Sequence, residues 1–185
     1  MPLITVDYPN GKFSPEQRDE LAEAMTRIIL QIEGGADTPE GRSIAWVKFN
    51  EIESHDWYIG GDNGTAFEGA AGKFLVELNV PEGSMDQERK SQCHQAIFKA
   101  LTEATGTTGI EDAARSIFIQ IVEWPEGHLA SNGKTSSLLG IAKHAGIPAD
   151  HPLLAFPRAY FDAKDRLYDL ANYPDKTAGR AIVRY

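Results

Sequence analysis

Side chains suited to catalysis are sparse in this sequence, and few stand at spacings that chemistry uses. The histidines His55, His94, His128, His144 and His151 show no metal-ligand spacing, so no metal is expected. The single cysteine, Cys93, excludes an internal disulfide framework and falls on an apolar helical stripe, where it reads as a small core residue rather than a nucleophile. No Gly-rich phosphate loop, His-Glu-x-x-His, nucleophile elbow or paired-carboxylate motif occurs. What remains is Met1-Pro2, which opens directly into an alternating strand. With Met1 removed, Pro2 would carry a rigid secondary amine fixed in the fold. Burial and nearby positive charge favour its neutral form, and a base poised near neutral pH is what proton abstraction requires.

The elements that would hold this proline come in two copies. Sliding the sequence on itself by 72 positions pairs Pro9 with Pro81, Gly11 with Gly83, Gly34 with Gly106, Glu51 with Glu123 and Gly61 with Gly133. The match runs without a gap over roughly sixty residues. Each copy opens on an alternating strand, Leu3 to Tyr8 with Ile4, Val6 and Tyr8 on one side, then Val76, Leu78 and Val80 on one side of the second. A Pro-x-Gly turn follows each. Ser14, Pro15 and Gln17 then read as N-cap, first-turn proline and capping-box partner, and Asp86 takes the cap position of the second copy. Leu21, Ala24, Met25, Ile28, Ile29 and Ile32 form one helical stripe ending near Gly34. Their counterparts Cys93, Ala96, Ile97, Ala100, Leu101 and Ala104 are all apolar too. A second strand closes each copy, residues 44–49 and 116–121, after a connection long enough to run parallel to the first.

Each copy is thus a βαβ unit, and two such units are expected to join into an α+β fold with a four-stranded sheet and both helices on one face. Residues 1–134 would form this part, with the units at 2–62 and 74–134, and 135–185 a C-terminal extension with one helix. That helix is read from the stripe Tyr160, Phe161, Lys164, Leu167, Tyr168 and Ala171. Residues 181–185 either add a strand to an exposed edge or form a loosely packed tail. Tyr8, Trp46, Phe118 and Val122 cannot all point to the helix side, so the other sheet face needs a cover, most simply other subunits. The chain has 185 residues, 42% of them apolar, enough for a real core. With 18 Lys and Arg against 27 Asp and Glu and no basic run, nucleic acid is a poor partner. No apolar stretch approaches the ~20 residues of a membrane span and no charged leader is visible, so a cytoplasmic protein without membrane contact is expected.

A terminal proline on a duplicated βαβ unit resembles the tautomerase superfamily over residues 2–134. The resemblance is carried by Pro2-Leu3-Ile4-Thr5-Val6, the turn Pro9-Asn10-Gly11-Lys12, and Val47-Lys48-Phe49-Asn50-Glu51-Ile52 running on to Trp57-Tyr58-Ile59-Gly60-Gly61. The last segment looks like the strand and hairpin of 4-oxalocrotonate tautomerase. Length and fusion are closer to the cis-3-chloroacrylic acid dehalogenase branch, whose two-unit subunits assemble as trimers. The resemblance implies a homotrimer and a cofactor-independent isomerase in which Pro2 is general base and acid on a small 2-keto or enol carboxylic acid.

Against that branch, this chain has Ile29 in place of a helix-one His, Pro81 and Ser84 in place of two Arg, Gln120 for a Tyr and Ser131 for a Glu. None of the accessory catalytic groups is retained. Dehalogenation needs an activated water and cations for the substrate anion, so it is not expected; keto-enol tautomerisation asks less. The fused family places the second-copy turn beside the terminal proline, which nominates Ser84 and the start of helix two. Lys12 would instead face a silent pseudo-site headed by Phe74. Lys48 either reaches a site across a subunit boundary or pairs with an acidic neighbour. Gln120 either bonds a substrate carbonyl or makes a polar interface contact, and Trp57 is either an aromatic wall or packing. Two alternatives stand beside the tautomerase: a catalytically silent binding or assembly protein, and a hydratase or decarboxylase of small unsaturated or 3-oxo acids.

Overall fold

The computed structural model describes residues 2–33 and 37–182; Met1, the helix end at Gly34 and residues 183–185 of the expected terminal strand lie outside them. Strand β1 (Leu3–Pro9) leads into α1 (Pro15–Glu33), the short α2 (Pro39–Ser43) and β2 (Trp46–Ile52). The second unit is β3 (Phe74–Pro81), α3 (Gln87–Ala104) and β4 (Ile117–Trp124). The sheet order is β2-β1-β3-β4, with β1 and β2 parallel, β3 and β4 parallel, and β1 antiparallel to β3 at the centre. Both caps form as the residue types require. Ser14 Oγ accepts from the Gln17 backbone N–H at 3.2 Å while the Ser14 N–H donates to Gln17 Oε1 at 2.9 Å, and Asp86 accepts from the Arg89 N–H at 2.8 Å.

The pleat sorts the residues. On β1, Ile4, Val6 and Tyr8 are fully buried toward the helices, where they meet Leu21, Met25 and Ile29 of α1 and Cys93, Ile97 and Leu101 of α3 in one core. Burying each large side chain in this core contributes about 1.5–3 kcal/mol. Tyr8 turns inward with this set: its ring packs on Phe13 at 5.1 Å and Phe49 at 6.0 Å while its hydroxyl reaches Glu51 at the rim. Trp46, Phe118 and Val122 point the other way. Register lays three rows across that outer face: Trp46, Leu3, Asn79, Val122; Lys48, Thr5, Glu77, Gln120; and Asn50, Asp7, Leu75, Phe118. Trp46 and Phe118 stay 55% and 65% exposed, so the described residues leave both ends of this face uncovered.

Beyond the repeat, a small hairpin of β5 (Ala130–Ser131) and β6 (Lys134–Thr135) precedes two helices, α4 (Leu138–His144) and α5 (Ala155–Leu170). The sequence pattern predicts one helix here. The second helix, α4, has seven residues and is shorter than the window in which periodicity registers. Within the predicted stripe Phe161 is buried, but Leu167 is 64% exposed; the buried side of α5 runs through Pro157, Phe161 and Asp165 instead. Residues 181 and 182 form no strand. Leu139, Ala142, Ala145, Ile147 and Leu154 make a second apolar cluster that reaches the repeat through Ile44.

Candidate functional site

Pro2 continues the β1 alternation one step, so its ring lies on the helix side and is fully buried. Its carbonyl accepts from the Trp46 N–H at 3.1 Å, and extending the Leu3–Asn79 pairing by one residue places it beside Val80. The next residues of that strand enter the turn Pro81-Glu82-Gly83-Ser84, closed by the Ser84 N–H on the Pro81 carbonyl at 3.2 Å. Antiparallel pairing at the sheet centre therefore brings the second-copy turn to the Pro2 end. Gly83 adopts φ +72°, and a Cβ there would stand 2.5 Å from the Tyr160 ring, so both conformation and space demand glycine.

At this end lies an apolar cavity of about 30 Å³, walled by Ile29, Leu30 and Ile44 from the first unit and Ser84 and Arg89 from the second. Leu138, Ile141, Ala142, Ala145, Ile147, Leu153, Leu154 and Pro157 of the extension supply the rest of the apolar wall. Pro2 is not part of the wall. The volume suffices for a water or two and not for a keto acid, so admitting one requires the extension to shift. Ser84 Oγ is buried in the wall without a hydrogen-bond partner. The Arg89 guanidinium reaches the Ser84 carbonyl at 3.3 Å and the Leu153 carbonyl at 3.4 Å, with Asp86 at 3.8 Å.

The extension is fastened to the same turn. Glu82 accepts from Lys164 Nζ at 2.5 and 2.6 Å and from the Tyr160 hydroxyl at 2.5 Å. Burial would raise the Glu82 carboxyl, but Lys164 and Tyr160 outweigh it and hold it below the ordinary glutamate range. Burial and the Glu82 carboxylate together push the Tyr160 phenol up. Glu126, buried beneath α4, accepts from the Leu138 N–H at 3.0 Å, and burial raises its carboxyl despite that bond. Glu123 carries Lys90 at 2.6 Å and the Gly83 N–H at 3.2 Å, which fixes the other side of the turn.

Of the residues singled out in the sequence, Pro2 and Ser84 lie at the same end of the sheet, Pro2 beside Val80 by register and Ser84 in the turn that follows that strand. Ser131 lies close by, in an open cleft of about 300 Å³ with Thr135, Ser136, Ser137 and His144 that shares Ile44 and Ile141 with the cavity. Lys48 and Gln120 stand in one row of the outer face, on the opposite side of the sheet from the cavity, and Gln120 donates to Glu77 at 2.9 Å. Trp57 sits at the far end: its carbonyl accepts from Lys73, next to Phe74, about 20 Å along β3 from Val80. Lys12 also belongs there, its amine beside Gly72, and Phe13 packs on Phe74 at 5.8 Å. Arg89, which lines the cavity, carries no mark in the sequence. It is one charged residue among many in the first turn of an amphipathic helix, and the extension that encloses it lies some sixty residues downstream. Among the described residues no group of His, Cys, Asp and Glu is placed to hold a metal ion, and no helix is long and apolar enough to cross a membrane.

No protein-family model and no curated protein matches the chain. Solved structures do. A fused 4-OT determined as an asymmetric trimer (R7) aligns with TM-score 0.59 at 17% identity over 75% of this chain and 98% of its own. Native fused 4-OT aligns with TM-score 0.58 at 15% identity over 72% and 94%. N1, a member of the cis-3-chloroacrylic acid dehalogenase family, aligns with TM-score 0.58 at 13% identity over 92% and 99%, a span that includes residues of the extension. The chain therefore has the tautomerase fold in its fused, two-unit form, the fold it shares with these 4-OT and dehalogenase-family structures.

Proposed function

We propose that this chain is a cofactor-independent cytoplasmic tautomerase in which Pro2, freed by removal of Met1, moves a proton between oxygen and carbon of a small 2-keto or enol carboxylic acid. The observation that supports this reading is the place of Pro2 at the head of β1: in the chain that still carries Met1 its ring is buried on the helix side, at the end of the sheet where β3 runs into the Ser84 turn. Burial penalises a charged amine and so favours the neutral base. The neutral nitrogen accepts the enol hydroxyl proton as the carbonyl forms, and the resulting prolinium delivers that proton to C3, which leaves the amine neutral for the next turnover. Ser84, in the turn that follows the strand segment beside Pro2, is the side chain we assign to the substrate at this end. We assign the uncovered outer face, with Trp46, Phe118 and the Lys48–Gln120 row, to a homotrimer interface, in keeping with the trimeric assembly of the fused 4-OT neighbour.

A second reading, a binding or assembly protein that keeps the fold without the chemistry, is favoured by one observation: the cavity is too small for substrate and Pro2 does not line it. Intact mass of the purified native protein, followed by ultraviolet assays with phenylpyruvate enol and 2-hydroxymuconate, separates the two. A mass lacking one Met, with ketonisation that Pro2→Ala abolishes, is the expected result. A free Pro2 with no activity on either enol, or activity that survives Pro2→Ala, refutes the tautomerase assignment.

A further inference from the structure

The cavity wall contains two polar features that the repeat and the extension leave underused. Ser84 belongs to the wall of an otherwise apolar cavity, and its Oγ is buried with no hydrogen-bond partner. A buried hydroxyl in that state is a standing cost to the fold, tolerated where a ligand completes it. The Arg89 guanidinium, whose side chain is only 17% exposed, holds two backbone carbonyls at 3.3 and 3.4 Å, beyond the usual span of an N–H···O bond, and leaves other N–H groups to spare. One of those carbonyls, Leu153, belongs to the extension. A carboxylate entering here would replace a long carbonyl contact with short charge-assisted bonds and would complete Ser84 at the same time. The remaining walls are aliphatic and offer no second cation, so a second carboxylate would be buried unpaired.

We infer that this pocket binds a monocarboxylate with a compact apolar substituent, aryl or branched alkyl, whose carboxylate is gripped by Arg89 and Ser84 and whose substituent is enclosed by the extension. The extension is then a specificity wall that doubles as a flap. The cavity measures about 30 Å³, whereas an aromatic ring needs on the order of 150 Å³, so binding requires the extension to move outward. The Leu153 carbonyl keeps the seat at Arg89 until the carboxylate takes it. This deepens the tautomerase reading and rests on it for the reacting atom, while the grip itself is measured without turnover.

The test is calorimetric titration of the full chain with 3-phenylpropanoate, which cannot enolise to a substrate, against adipate and 3-phenyl-1-propanol. Phenylpropanoate should bind, and the dicarboxylate and the alcohol about tenfold more weakly or worse. Arg89→Gln should lose about tenfold or more, with Arg89→Lys recovering part of it. Ser84→Ala should weaken binding a few-fold yet raise Tm, because it removes an unpaired buried hydroxyl; a purely structural serine would not move the two in opposite directions. Ile141→Ala in the flap should shift preference toward 2-naphthylpropanoate. The inference is overturned if phenylpropanoate does not bind at millimolar concentration, if adipate binds as well, or if Arg89→Gln binds like wild type; the Pro2→Ala result then still decides the tautomerase question. Arg89-dependent binding by a protein whose free Pro2 turns over neither enol upholds the pocket and removes the tautomerase.

Discussion

The two Pro-x-Gly turns make an internally controlled experiment. Gly11 and Gly83 occupy equivalent positions of the repeat with nearly the same backbone, φ +74° and +72°. An alanine at either position pays for a left-handed conformation, about 1–2 kcal/mol. Their surroundings differ: a Cβ on Gly11 meets nothing within 4 Å, whereas one on Gly83 stands 2.5 Å from Tyr160 Cδ1 and 2.9 Å from Cε1. Carbon atoms rest at about 3.5–4.0 Å, so the ring must retreat by roughly 1 Å. That retreat pulls the phenol from its 2.5 Å bond to Glu82. Overpacking of this kind costs about 1–3 kcal/mol, and Gly83→Ala should lose that much more stability than Gly11→Ala. Urea unfolding followed by tryptophan fluorescence, at one fixed protein concentration so that any self-association contributes equally, gives the difference directly. Adding Tyr160→Ala should relieve Gly83→Ala and leave Gly11→Ala unrelieved. Equal losses for the two single variants would show that α5 does not rest on this turn, and the enclosed cavity would go with it.

Two further outcomes are expected. Lys164→Met removes a partner that holds the Glu82 carboxyl below its ordinary range; a carboxylate depressed in the folded state stabilises above its unfolded pKa and loses that contribution as pH falls through the folded one. The stability gap between wild type and Lys164→Met should therefore be full at pH 7 and close as pH drops below about 4.3, and a gap independent of pH would contradict the pairing. Phe118→Glu, at a site 65% exposed in the single chain, should lower the sedimentation mass while leaving the far-ultraviolet circular dichroism intact; an unchanged mass would take the outer face out of the assembly.

The parts of the fold that were legible in the sequence are those set by local physics. Alternation at Ile4, Val6 and Tyr8, the Ser14–Gln17 box and the paired stripes through Met25 and Ile97 each follow from a few adjacent residues, and repetition doubled the signal. The site was legible only where the repeat reached it: register brings Pro2 to the Ser84 turn, while Lys48 and Gln120 fall on the opposite face. What was not legible depends on contacts between distant segments. The tie from Glu82 to Lys164 joins residues 82 positions apart, and no local pattern marks either as a partner of the other. Arg89 reads as one more solvated charge until Leu153 is laid over it. The helix α4 has too few turns to announce a face, yet it supplies much of the wall.

Lys73 stands in the second unit where Met1 stands in the first, immediately ahead of the strand. It is buried, and its amine is clasped by the carbonyls of Trp57 at 3.1 Å and Asn63 at 2.9 Å, with Glu68 at 3.9 Å. Beside it the joining segment is sewn down further, by the Ala71 N–H on the Ala113 carbonyl and by Ser116 Oγ on the Gly72 carbonyl. The head of the second unit is thus a seam within the chain, where Phe74 packs against Phe13. An amine of the proline kind exists only at a chain's beginning, and a polypeptide has one beginning. However many units such a chain strings together, only the first has a terminus to lend, and every later unit is free to become scaffold.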